Sequence, residues 1–359
     1  MADIIIMLLL FSPLMVILWL ANKADRQQDR ATPERLWGVL AYLILAIFWV
    51  GFILGGLLVT VMGAALRSQP LTPEVLAPYE ALGLKPEGVR DLLASLPMVG
   101  MGMWLPSILG LVLLLPPVRR LVARILAIDP SRVVHAVALS YTMLVVVNLW
   151  VTLAFGIGNL ADITAAGGGI ESTALVQTVW AQEIAFALTA LIGVGWLAGR
   201  GWRATLHRLG LVRPTGRQLL TGVVLGVVMM LALIPIDYFT QTTGIGFDED
   251  VTRLGEQVIG PLTQSLAGIL TLGVGAALGE ELIFRGALQP RFGLVFTSLL
   301  FTLLHSNYGL SLSTLIVLLI GLILGWVRNR YNTTSSMVVH AVYNMAIGLM
   351  TYLALWPEW

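Results

Sequence analysis

Apolar runs long enough to cross a bilayer alternate with short polar connections along almost the whole chain. Spanning the hydrocarbon layer takes about 20 apolar residues as a helix. That length picks out runs at 4–21, 36–66, 97–117, 133–158, 174–199, 218–237 and 262–289, followed by 294–307, 311–328 and 333–356. The pattern predicts an all-α fold, a polytopic transmembrane helical bundle of about ten spans. Run 294–307 is short: at about 1.5 Å per residue it covers about 21 Å of a core of about 30 Å. Ser306-Asn307-Tyr308-Gly309 joins it to the next run, so its outer turn is expected to sink into the membrane. Irregular backbone at that depth must be surrounded by protein or a water-filled cavity.

Composition agrees with this reading. The chain is 57% hydrophobic and 11% charged, where a soluble domain carries about 25% charged residues. No cysteine is present, which removes disulfides, thiolate ligands and a thiol nucleophile together. The basic residues are dispersed through loops with no aromatic-laced patch, so no nucleic-acid partner is expected. The first run lacks a basic leader and a small-residue cleavage site, and reads as a retained span.

The connections set the orientation. Every second loop is basic: Lys23, Arg26, Arg30 and Arg35; Arg119, Arg120, Arg124 and Arg132; Arg200, Arg203, Arg208, Arg213 and Arg217. With Arg285, Arg291, Arg328 and Arg330 this side holds seventeen basic residues, against Arg67, Lys85, Arg90 and Arg253 on the other. The positive-inside rule then places both termini outside and the basic loops in the cytoplasm. Residues 118–128 could form a basic amphipathic helix on that leaflet. The acidic run Asp248-Glu249-Asp250 falls on the outer side as a solvated cap. The pairs Gly51/Gly55, Gly222/Gly226, Gly275/Gly279 and Gly321/Gly325 read as helix-packing contacts. Glu183, inside the fifth run, reads first as a structural hydrogen-bonding group.

Against this background one stretch stands out, Gly279-Glu280-Glu281-Leu282-Ile283-Phe284-Arg285-Gly286, which follows seventeen uncharged residues at 262–278. Charges at a helix centre cost about 2.5–3.5 kcal/mol each on insertion scales, so an intramembrane group of three is a functional-site candidate. The other notable polar residues of the late runs are His305, His340 and Asn344. Glu280 and His305 lie symmetrically about the turn at Phe292-Gly293, and His340 lies about 13 Å beyond the next turn. Three helices therefore bring a carboxylate and two imidazoles to one level, in the cytoplasmic half of the bilayer.

Helical neighbours point about 100° apart whereas i,i+4 partners share a face. Glu281 and Arg285 then form a buried structural ion pair, leaving Glu280 turned toward the cavity. A carboxylate beside water and two imidazoles is general-base equipment, and His340 with Asn344 can donate to an oxyanion. The reaction class that follows is hydrolysis of an acyl bond by activated water. Glu280, His305 and His340 are also chemically acceptable zinc ligands, but spacing alone does not imply the metal.

At these residues the sequence resembles the CAAX protease and bacteriocin-processing family of intramembrane proteases, the CPBP or Abi family. Its signatures EExxxR, FxxxH and HxxxN occur in order as Glu280-Glu281-xxx-Arg285, Phe301-xxx-His305 and His340-xxx-Asn344. The resemblance covers roughly residues 200–355. It implies a metalloprotease-like endopeptidase of the bacterial cytoplasmic membrane, acting on a membrane-associated or prenylated peptide substrate. In it Glu280 and His305 activate water, while His340 and Asn344 stabilise the oxyanion. Residues 200–359 would be the catalytic helical core, and 1–199 a five-span region of unassigned role.

Two other classes fit the same buried charges. A non-catalytic relative would serve bacteriocin immunity or partner binding. A proton- or cation-coupled transporter would depend on Glu281 and Arg285 while His340 and Asn344 were dispensable. A site-2-type zinc protease fits poorly, because no HExxH surrounds any histidine.

Overall fold

The computed structural model describes residues 2–28, 36–80 and 85–355. Arg30 and Arg35 of the first basic loop lie outside the described residues. The principal helices are α1 (Ala2–Gln28), α2 (Leu36–Arg67), α3 (Pro86–Val112), α4 (Val133–Phe155), α5 (Ser172–Gly193) and α6 (Gly216–Thr243). They continue with α7 (Leu266–Phe292), α8 (Leu294–Leu304), α9 (Leu312–Arg330) and α10 (Thr333–Tyr352). Eight of these, α1 to α7 and α9, are long and apolar enough to cross a membrane; α8 is a shorter apolar helix, and α10 is not among the eight. No named strand occurs among the described residues. The protein is a polytopic helical membrane protein.

Helix ends fall where the local chemistry stops or starts them. Pro86 opens α3 well before the apolar run begins, because proline suits the first helical turn. The run at 174–199 stops being helical at Gly193, where Gly195 (φ +101°) and Gly199 (φ +110°) turn the chain. There Asn22 of α1 donates to the carbonyls of Ile192 and Gly193, satisfying groups that a helix C-terminus leaves open. Asp25, one turn further along α1, accepts from the backbone N–H groups of Val133 and Val134 at the start of α4. Thr215 and Gln218 close a capping box on α6, and Asn332 caps α10 through Ser335 N. The outer acidic run is also a cap: Asp248 opens a helix over Glu249–Val258, and Arg253 bridges Asp250 and Asp162.

The basic connection differs from the expected surface helix over 118–128. Helix forms only over Pro116–Val122, and Arg119 turns inward to donate to the Tyr42 hydroxyl instead of remaining on the polar face.

α2 and α3 approach through glycine, at positions other than those expected. A Cβ on Gly51 would meet nothing and one on Gly55 only Met103, at 3.8 Å, whereas Gly56, Gly63 and Gly100 are tightly enclosed. The contact stripe is therefore rotated onto Gly56. The Trp49 indole, fully buried between α2, α3 and α4, donates to Ser140 Oγ, which donates on to Gly110 O. A Cβ on Gly100 would lie 2.5 Å from both Gly56 O and Thr60 N. Gly100→Ala is expected to cost about 1–3 kcal/mol by overpacking, read as a lowered unfolding midpoint in detergent. An unchanged midpoint would show that α2 and α3 part freely.

Toward the C-terminus α6 lies along α10, α8 along α9, and α7 is enclosed by α5 and α10. The other three glycine pairs contribute to these packings: Gly222 and Gly226 meet α10, Gly275 and Gly279 meet α5, and Gly321 and Gly325 meet α7 and α8.

Candidate active site

α7 carries the paired carboxylates and is not a uniform helix. Two π-helical stretches, Thr271–Gly275 and Glu281–Leu288, interrupt it. A π-turn widens the backbone and re-aims side chains, and such bulges gather at functional sites. Glycine then lets three neighbours approach: a Cβ on Gly273 would run into Met345 and Ala341 O of α10, and one on Gly286 would meet Leu209. A Cβ on Gly279 would run into the Glu183 carboxylate and lie 2.7 Å from the Glu183 carbonyl oxygen.

Gly293, at φ +78°, reverses the chain from α7 into α8. A side chain there would be strained. The return brings His305, at the C-terminal end of α8, back to the level of Glu280. Its Nε2 lies 3.9 Å from Glu280 Oε1, and Nε2 of His340 on α10 lies 3.9 Å from Glu280 Oε2. Glu280 is 9% exposed and His340 4%.

Both rings are held from behind. His305 Nδ1 lies 2.8 Å from Phe301 O; a carbonyl only accepts, so Nδ1 carries a proton and Nε2 is the ring atom that faces Glu280. His340 Nδ1 lies 3.1 Å from Glu281 Oε1, and the same reasoning places its proton on Nδ1. Phe301 stands between the rings, with centroids 4.6 Å from His305 and 6.2 Å from His340, while the Arg285 guanidinium lies 4.6 Å over its face.

Glu281 and Arg285 are fully buried, with Nε 3.6 Å from Oε2, and Arg285 Nη2 donates to Gly321 O on α9. Glu281 does more than neutralise the arginine: it orients His340 and accepts from the Ser336 hydroxyl. The stripe Ser336, His340, Asn344 at i, i+4, i+8 contained that signal, since all three share one face of α10. Asn344 directs its amide at Leu272 O, 2.9 Å away in the first π-stretch, rather than toward Glu280.

Residues of the first five helices also support the site. Asn148 on α4 donates to Ser306 Oγ and to Leu304 O, and the Ser306 hydroxyl donates to Thr152 Oγ1, so α4 fixes the turn that presents His305. Glu183 on α5, 2% exposed, accepts at Oε1 from Gln182, while its Oε2 lies against Gly279 with no hydrogen-bond partner. Nothing in the spacing of Asn148 or Thr152 marked them, and Glu183 stood out only as a carboxylate inside an apolar run, because their partners are more than ninety residues away in sequence. Gly279→Ala is expected to drive α5 from α7 and lower both yield and unfolding midpoint; a fully stable variant would show that Glu183 yields at little cost.

Zinc fits this arrangement poorly. An ion bound by about 2.0–2.1 Å bonds would need an angle of roughly 140° to touch two atoms 3.9 Å apart, against about 109° in a tetrahedral site. Among the described residues no group of three or more His, Asp or Glu side chains could hold a metal ion. A water oxygen about 2.8 Å from both atoms of either pair subtends roughly 88°, a compressed but usable hydrogen-bond angle.

Residues 262–346, from just before α7 into α10, match the family described as type II CAAX prenyl endopeptidase Rce1-like. The likeness covers about a quarter of the chain. That segment contains the EExxxR, FxxxH and HxxxN residues whose geometry is given above, and it supports intramembrane protease activity in general. No curated protein and no solved structure matches the chain.

Proposed function

We propose that the chain is an intramembrane endopeptidase that hydrolyses a peptide bond of a membrane-associated or prenylated substrate, using water activated by Glu280. The observation that carries this reading is the convergence of two imidazole Nε2 atoms, from different helices and each fixed at Nδ1, on the two oxygens of one buried carboxylate. A water set between Glu280 Oε1 and His305 Nε2 donates one hydrogen to each and aims its lone pair away from both.

The chemistry then balances with these residues alone. Glu280 takes one proton as the water oxygen attacks the scissile carbonyl carbon. The tetrahedral oxyanion forms on the His340 side, where the second amide hydrogen of Asn344 is its donor. The C–N bond breaks, and Glu280 returns its proton to the departing amine. Glu281 is a positioning residue: it holds the His340 ring and touches no reacting atom.

The distribution of basic loops supports a site in the cytoplasmic half of the membrane with both termini outside, and the membrane in this reading is the bacterial cytoplasmic membrane. A lipidated or leader-bearing peptide would approach from that side.

The test is terminal-peptide mass spectrometry on a membrane proteome incubated with purified protein, comparing wild type with His305→Ala and His340→Ala. New termini that appear with wild type and fall at least about 100-fold in either variant support the reading. Equal cleavage by wild type and both variants, or none by any, would favour a binding or transport role.

A further inference from the structure

Between α1, α4, α5 and the α7–α8 hairpin lies a cavity of about 480 Å³, and Glu280 is not among its lining residues. It is amphipathic along its length. Phe11, Phe186 and Leu300 wall one part, while Arg200, Arg208, Arg291 and His135 stand where the chain leaves the helices. From Phe11 to Asn22, both of which line it, α1 rises roughly 16 Å. The cavity is thus a slot with an apolar length and a cationic mouth.

The mouth is unbalanced in charge. No Asp or Glu lines the cavity, and among the described residues no carboxylate forms a salt bridge with Arg200, Arg208 or Arg291. Two of the arginines are held in place by backbone: Arg208 donates to the carbonyls of Gly286 and Ala287, and Arg200 to Val194 O. Each keeps further N–H groups free for an anion. Burial, then the neighbouring Arg291, Arg200 and Arg328 charges, hold the Arg208 guanidinium down to about 10. It is still a cation at neutral pH, so mutual repulsion persists until an anion arrives.

We propose that this cavity is a lipid site, taking one acyl chain of an anionic phospholipid from the leaflet at the basic end of the helices, with the phosphate held by Arg200, Arg208 and Arg291. A phosphate supplies several acceptor oxygens to forked guanidinium donors, and the chain fills the apolar length without desolvating a polar group. The occupant joins the first five helices to the hairpin that carries Glu280 and His305. This assigns that region a role separate from hydrolysis and does not depend on the proposed reaction.

The probe is native mass spectrometry of the full chain in neutral detergent, titrated with phosphatidylglycerol or with phosphatidylcholine. One phosphatidylglycerol should be retained at concentrations where phosphatidylcholine is not. Arg200→Gln with Arg291→Gln should weaken retention roughly 30-fold, about 5-fold for each basic residue near a lipid surface. Ala138→Phe, which fills the slot and leaves the arginines in place, should lower it independently. Equal retention of both lipids, or unchanged phosphatidylglycerol binding in both variants, would overturn the proposal. Displacement by millimolar inorganic phosphate with no need of the chain would also overturn it, reducing the mouth to an anion site.

Discussion

Glu280→Gln is expected to abolish peptide hydrolysis while leaving the protein folded. The amide keeps the volume and planar shape of the carboxylate but cannot take a proton from water, and removal of a general base costs about 100- to 10,000-fold. The fold should not notice. Both imidazoles lie 3.9 Å from Glu280, beyond direct hydrogen bonding, and its Oε2 has no hydrogen-bond partner. The residue therefore contributes little that the amide would forfeit, and loss of a buried charge relieves desolvation. The measurement is cleavage of a peptide identified by the terminal-proteome comparison, alongside the unfolding midpoint of the same preparation. Near wild-type cleavage by a folded Glu280→Gln protein would sink the water-activation mechanism. Loss of cleavage together with collapse of the midpoint would show that Glu280 is a structural group.

The apolar runs were long enough that length alone located the main helices, because a bilayer-spanning helix has no other way to satisfy its backbone. Their ends were less legible. Gly193 and the inward turn of Arg119 depend on Asn22 and Tyr42, which lie far off in sequence and come close only when helices pack. At the site, helical period about the turn at Phe292-Gly293 brought Glu280 and His305 to one depth, since depth follows from residue count. What residue count cannot supply is the π-helical widening of α7. That local change of period helps set where Glu281 points, and Glu281 reaches His340 as well as Arg285. Asn344 shows the same limit: it shares a face with His340, yet its amide goes to a carbonyl of the first π-stretch. The supporting contacts from Asn148, Thr152 and Glu183 were invisible for a different reason, being pairings between distant helices with no periodic signature.

Glu281 and Arg285 should behave as one unit whose halves cannot be removed separately. Both are fully buried, and deleting one partner of a buried pair leaves the other charge uncompensated, at a cost of about 3–5 kcal/mol. Arg285→Ala should therefore lower the unfolding midpoint sharply, with loss of the Gly321 hydrogen bond and the Phe301 contact adding to it. Glu281→Ala should do the same and also release the His340 ring, because Nδ1 loses its acceptor. Glu281→Gln separates the two roles: the amide oxygen can still accept from His340, while the charge opposite Arg285 is gone. It should keep a larger share of cleavage per folded molecule than Glu281→Ala at a similarly reduced stability. The double variant Glu281→Leu/Arg285→Met removes both charges at once, and its destabilisation should fall well short of the sum of the single losses, as contacting residues do in a double-mutant cycle. Additive losses, or two single variants as stable as wild type, would mean that the carboxylate and guanidinium are solvated independently and that something other than this pair sets the rotation of α7.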